Sequence, residues 1–201
     1  GDLMFNPIGD NQRIEAHLAF NRAYLAGEPS LQVGLGRFDG VFLLDPAGTS
    51  IEANVTGQGL RWSQLSLGKL STKISMRGGA GRVTASLSGS RGRSFALSGA
   101  ADIAPGRFSI TGSGTIDRKP ISLETPAVLG RTSDGWKLDP TTLGFGNGRA
   151  SLTGLLGGSE TQISASLDHI PLSILDILAP QLGFGGYASG RLQYSLARGS
   201  S

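Results

Sequence analysis

Along much of this chain apolar and polar residues take turns one by one. Ile14, Ala16, Leu18 and Phe20 alternate with Glu15, His17 and Ala19, and a period of two is that of a strand with one apolar face. The window is Ala-rich, so a helix through Leu25 stays open. The same alternation predicts strands over 31–38, 50–57, 60–67, 69–76, 82–88, 94–101, 107–116, 120–124, 149–155, 161–168 and 190–197. Turn signals separate them: Asp45-Pro46-Ala47-Gly48, Gly78-Gly79-Ala80-Gly81, Ser90-Arg91-Gly92, Ala104-Pro105-Gly106 and Gly157-Gly158. Short strands with turns every 8–12 residues or so indicate an all-β chain. One segment departs from the pattern. Between Ile170 and Pro180, prolines stand at a helix-start position and just past the end, and Leu172, Leu175 and Ala179 recur at helical spacing. They predict a short helix near 171–179 that packs on the sheet.

The alternation is organised by a repeat. Gly-Arg-apolar-Ser/Thr opens Gly81-Arg82-Val83-Thr84, Gly106-Arg107-Phe108-Ser109 and Gly148-Arg149-Ala150-Ser151, with looser copies at Gly190-Arg191-Leu192 and Gly36-Arg37-Phe38. The starts at 106, 148 and 190 are equally spaced, the mark of a repeat architecture. Leu-Gly-Phe-Gly precedes two of them, at 143–146 and 182–185. No linker divides the chain, so 1–201 reads as a single segment, with 1–49 its least distinctive part.

Each copy makes a ribbon with Arg, Ser and Thr on one side and apolar residues on the other. The predicted apolar face comprises Phe38, Val83, Ala85, Leu87, Phe95 and Leu97 in the first half. In the second half it comprises Phe108, Ile110, Ala150, Leu152, Ile163, Ala165, Leu167, Leu192, Tyr194 and Leu196. A large apolar side chain left in water forfeits about 1.5–3 kcal/mol. A dozen would outweigh a typical net stability of about 5–15 kcal/mol. The face needs a cover, and one short helix is too little. Either the sheet folds on itself as a sandwich or barrel, or it curls into a trough that receives something else.

Composition sharpens this. Of 201 residues 32 are glycine and only 16% are charged, a mix poor for long helices. There is no cysteine and hence no disulfide framework or Cys-based metal site. The net charge of +3 is mild. The densest basic stretch, Arg77, Arg82, Arg91 and Arg93, lacks the interleaved aromatics of a nucleic-acid platform, so no nucleic-acid partner is expected. Catalytic candidates are sparse. His169 adjoins Asp168 and precedes Ser173, but adjacency in sequence does not make a triad; His17 reads as a surface strand residue. Asp39, Asp45, Asp102, Asp117, Glu124, Asp134 and Asp139 are scattered, mostly beside turns. Gly144-Phe145-Gly146-Asn147-Gly148 is glycine-rich in a strand-to-strand context, a weak phosphate signal. The expectation is a non-enzyme without cofactor or metal. No run approaches the roughly 20 apolar residues of a membrane span. The chain, opening Gly1-Asp2-Leu3 and stopping in Arg198-Gly199-Ser200-Ser201, reads as a segment cut from something longer, with any anchor outside it.

Several of these runs resemble a known family. Trp62-Ser63-Gln64-Leu65-Ser66-Leu67-Gly68, Gly135-Trp136-Lys137-Leu138, Arg149-Ala150-Ser151-Leu152-Thr153-Gly154 and Ile170-Pro171-Leu172-Ser173-Ile174-Leu175 look like the TamB family. These are translocation-and-assembly proteins of Gram-negative bacteria, related to AsmA-like proteins. The closest likeness is Pro-Leu-Ser-Ile-Leu followed by Pro180, Gly185-Gly186 and Ser189-Gly190-Arg191-Leu192. The motifs are short and degenerate, and the likeness covers most of 50–197. It implies an elongated, curled, antiparallel or mixed β-sheet with a taco-like hydrophobic groove. It also implies a periplasmic segment of a protein anchored in the inner membrane and partnered with an outer-membrane TamA-type barrel. The role implied is moving phospholipid between the membranes, acyl chains in the groove, in support of outer-membrane biogenesis. Two alternatives stay open: a chaperone-like module binding strands of outer-membrane protein clients, and a closed structural β-solenoid.

Overall fold

The structure, a computed structural model, describes residues 1–9, 11–46, 48–157, 160–177 and 179–197. The chain is all-β, as its alternation predicts: strands throughout, interrupted by two 3-10 turns, Leu172–Ile177 and Pro180–Leu182. It divides into two compact units, Gly1–Pro105 and Gly106–Ser201. The division falls within the predicted turn Ala104-Pro105-Gly106.

The first unit holds β1 (Asp2–Ile8), β2 (Asn11–Leu25), β3 (Leu31–Leu44), β4 (Ser50–Trp62), β5 (Leu65–Arg77), β6 (Ala80–Arg91) and β7 (Arg93–Ala104). Each strand pairs antiparallel with the next. The turns make this meander possible. Gly78 and Gly79, at φ 57° and 79°, join the opposed pair Arg77 and Ala80. Positive φ at both central residues gives the hairpin twist that matches the strands, and glycine adopts it without strain. Within this unit β1 pairs with β2 alone, so the sheet does not close into a barrel.

The second unit holds β8 (Arg107–Ile116), β9 (Lys119–Leu123), β10 (Ala127–Thr132), β11 (Gly135–Phe145), β12 (Gly148–Gly157), β13 (Glu160–Pro171) and β14 (Tyr187–Ala197). β9 and β10 lie one after the other between β8 and β11 and together do the work of one strand. From β11 to β14 the meander resumes. Pairing within both units is antiparallel, so the mixed option drops out.

Several expectations change. The predicted strand 60–67 spans a hairpin, with Trp62 opposite Leu65 and Ser63 at φ 52°. Leu60 and Trp62 precede that turn and Leu65 and Leu67 follow it, so apolar residues on both sides imitate one strand. The window that could have been helix through Leu25 is strand β2. Strands β1, β10 and β11 had no counterpart among the predicted ones. The expected helix near 171–179 is a 3-10 turn over Leu172–Ile177, and Pro171 ends β13, opposite Tyr187, rather than opening a helix. Leu178 lies outside the described residues, as do Ala47 and Gly158 of the predicted turns.

Among the described residues few apolar side chains are buried. Ala16 and Ala53 are buried in the first unit, where Phe38 and Phe42 stack with centroids 6.3 Å apart. The Phe38 ring lies 2.8 Å from where a Cβ on Gly40 would stand, an aromatic covering a strand glycine. In the second unit Phe145, Ile116 and Ile170 form the buried end of the sheet. Lys119 connects it to the 3-10 turn: its Nζ lies 5.9 Å from the Phe145 ring centroid and 3.4 Å from Ser173 Oγ.

Candidate functional site

Directly opposed residues of neighbouring strands share a sheet face, so the register sorts every side chain. In the first unit Phe20, Gly36, Gly57, Leu70, Leu87 and Leu97 stand side by side across β2 to β7. One row along, Phe38, Val55, Thr72 and Ala85 align, and beyond them Ala53, Ile74 and Val83. Phe95 stands opposite Gly89, which stands opposite Leu67. The predicted residues Phe38, Val83, Ala85, Leu87, Phe95 and Leu97 therefore share one face.

That face stays apolar across a line of irregularities. Arg22 at φ 51°, Gly59 at φ 64° and the register shift at Gly68 interrupt β2, β4 and β5. Such bulges reset the alternation. Leu60, three residues after Gly57, consequently lies over it, its Cδ1 2.7 Å from where a Gly57 Cβ would be. Leu31, Leu60, Trp62, Leu65 and Leu67 gather around a cavity of about 240 Å3 at this end.

The second unit repeats the arrangement. Phe108, Leu129, Leu138, Gly154, Ile163 and Tyr194 align across it. Leu152, Ala165 and Leu192 make the next row, Ala150 and Leu167 the one after, and Ile110 stands two positions from Phe108. Leu196 sits opposite Thr161 beyond Ile163. All the predicted residues of this half share a face as well. Across the two units the predicted residues are unevenly exposed: Phe95 of the first is 8% exposed, whereas Leu192 and Tyr194 of the second are 61% and 54% exposed.

Sequence reasoning missed other members of these faces. Ile14, Phe42, Ile51 and Met76 align at the far end of the first unit; Phe42 lies beyond the predicted span 31–38, and the other three lie at the ends of predicted strands but are not among the residues predicted for the face. Trp136 and Leu138 belong to β11, where Trp136 meets Phe108 with ring centroids 5.2 Å apart. The register shift between Leu138 and Thr141 moves the apolar positions by one residue, and Pro140 inside the run reads as a strand breaker.

The signature arginines stand on the opposite, watered face. Arg82 Nη1 donates to Asp102 at 2.9 Å, and Arg149 Nε to Glu124 at 2.9 Å. Arg37 donates to Asp39, with Nη2 at 3.1 Å, and His17 Nδ1 lies 2.9 Å from the same carboxylate. The hydrogen bond from Arg37, then that with His17, lowers the Asp39 carboxyl to a pKa of about 2. The Arg37 guanidinium is raised by its bond to Asp39 and the Arg149 guanidinium by its bond to Glu124.

The structure does not bring His169 and Ser173 together as a catalytic pair. The His169 ring stacks on Tyr187 at 4.1 Å, and Ser173 bonds Lys119. Asp168 stands opposite Arg149 in the β12–β13 register. The glycine-rich run 144–148 is the hairpin joining β11 to β12. Among the described residues no cluster of three or more His, Asp or Glu could hold a metal, and no helix is long and apolar enough to cross a membrane. No protein-family model, curated protein or solved structure matches this chain.

Proposed function

We propose that this chain is a non-catalytic conduit segment whose apolar sheet faces carry phospholipid acyl chains. In keeping with the TamB-like runs, it would work in the periplasm within a protein anchored in the inner membrane. There it would serve outer-membrane biogenesis with a TamA-type barrel as partner. One observation carries the reading: the register gathers the apolar residues of each unit onto one face, and the first unit contains no helix among its described residues to cover it. An acyl chain laid on such a face gains about 0.8 kcal/mol per buried methylene. It needs no fixed headgroup site and no reacting group.

Leu192 tests this cleanly. It is 61% exposed, so Leu192→Asp should change stability by no more than about 0.5 kcal/mol while breaking the apolar row. Phospholipid retained by the purified chain, counted by native mass spectrometry, should fall at least severalfold relative to Leu192→Met. Equal retention by both variants would contradict the reading.

A second reading rests on the strand edges. β1 pairs with β2 alone and exposes all its residues, and β14 pairs with β13 alone within its unit. A free edge can accept a client strand through main-chain hydrogen bonds. Protein rather than lipid adducts from β1 and β14 positions would favour it.

A further inference from the structure

Arg37, Arg82 and Arg149 meet acids on the watered side of the sheet. Arg91 and Arg93 stand elsewhere. They end β6 and begin β7, directly opposite one another across the hairpin at Gly92. Two positions along, Gly89 is opposed to Phe95, and two further Leu87 is opposed to Leu97. By the alternation of the strands both arginines therefore belong to the apolar face. Burial follows the same phase: Arg91 and Arg93 are half-buried, whereas Ser90 and Ser94 beside them are exposed. A half-buried arginine lays its stem along apolar surface and keeps its guanidinium at the edge.

The neighbours of this pair give the margin its chemistry. Leu65 lies one residue beyond the Ser66–Ser90 pair, as Arg91 does. The last row of the face thus runs Leu31, Trp62, Leu65, Arg91 and Arg93. Its three apolar members, with Leu60 and Leu67, line the cavity of about 240 Å3. The acids of β2 to β7, Glu15, Asp39, Glu52 and Asp102, all stand on the opposite face. Arg91 has no ion pair among the described residues, while Arg93 has a contact of its own. Like charges directly opposed on a sheet repel. An anion between them replaces that repulsion with charge-assisted hydrogen bonds.

The second unit repeats the combination. Arg131 follows Leu129 by two positions on the apolar face and stands directly opposite Trp136, whose ring meets Phe108. It too has no ion pair among the described residues. The chain has two tryptophans, and each shares a row of an apolar face with an arginine. An indole joins an apolar body to one N–H donor, which suits the boundary between acyl chain and headgroup.

We propose that Arg91 with Arg93, and Arg131 in the second unit, hold the phosphate of a phospholipid whose acyl chain lies on the adjoining apolar face, and that they select lipids of net negative charge. The site rests on the lipid reading above and adds headgroup selectivity to it. A phosphatidylethanolamine brings an ammonium that the arginines repel and that no strand acid on the apolar face of the first unit receives. Phosphatidylglycerol brings the same phosphate without that ammonium.

The test offers the whole chain vesicles of phosphatidylglycerol and phosphatidylethanolamine in equal parts, matched in acyl chains. Native mass spectrometry then counts both lipids on the re-isolated protein. Phosphatidylglycerol should exceed phosphatidylethanolamine by about fivefold, the share of one arginine near an anionic lipid. Arg91→Gln should at least halve that ratio, and Arg91→Gln with Arg131→Gln should bring it close to parity, with unchanged circular dichroism and little loss of total lipid. Arg61→Gln removes the same charge from the opposite face, between Leu60 and Trp62, and should leave the ratio as it was. Lipid retained by the wild-type chain without preference would overturn the headgroup site and leave the acyl-chain reading standing. An equal fall in Arg61→Gln would also overturn the site, by reducing the preference to net charge. No lipid of either kind on the wild-type chain would overturn the acyl-chain reading and the site with it.

Discussion

Gly148 and Gly130 show how differently single glycines are used. A Cβ on Gly148 would lie 2.2 Å from the backbone oxygen of His169, while one on Gly130 would meet nothing within 4 Å. Gly148→Ala must push two backbones apart and should cost about 1–3 kcal/mol. Gly130→Ala should be neutral or stabilising by up to about 1 kcal/mol, through the unfolded chain. Urea denaturation midpoints for the two variants check the contrast. The repeated Gly-Arg pair was visible in the sequence, but this reason for its glycine was not, because the crowding atom lies on another strand. Asp39 is a second residue-scale case. Its pKa is depressed to about 2 from 3.8, so its contribution to stability is fully present above pH of about 4. It is lost as the pH falls through about 2, because the unfolded chain takes up the proton first. A carboxyl-carbon NMR titration should place its midpoint near 2, and Arg37→Gln should return it toward 3.8. A midpoint unmoved by Arg37→Gln would contradict the assigned cause.

At the scale of elements, the segment after β13 is the informative one. Asp176 is buried and its Oδ1 accepts the Phe184 backbone N–H at 2.7 Å, tying the two 3-10 turns into a cap. Asp176→Ala would leave that donor without this acceptor, a loss of about 1–3 kcal/mol if it stays buried, whereas Asp176→Asn keeps an acceptor. Hydrogen exchange should quicken around Phe184 in the alanine variant and much less in the asparagine one. Equal exchange in both would deny the tie. The sequence announced this element through its prolines yet misstated its form, since Pro171 stays within the β13–β14 ladder. Strand β11 was hidden for a related reason: its bulge around Pro140 breaks a two-residue period that any single-sequence reading needs. The β8–β9 hairpin turns at Asp117 and Arg118, both with positive φ and without the glycine that usually marks such a turn.

For the molecule as a whole, alternation was enough to read the fold class and the apolar face, because a strand's period fixes which residues share a side. The hydroxyl row of Thr56, Ser71, Ser86 and Ser98 was not legible, since it exists only once register is known. What the apolar faces are for comes down to what touches them. A photo-crosslinking residue placed singly at Val83, Leu97, Ile110 and Leu152, and as controls at Thr84 and Ser151, reads this directly in a living cell. The account predicts phospholipid adducts, identified by mass spectrometry, at the four apolar positions and at neither control. Adducts confined to Thr84 and Ser151, or absent from all four apolar positions, would contradict it.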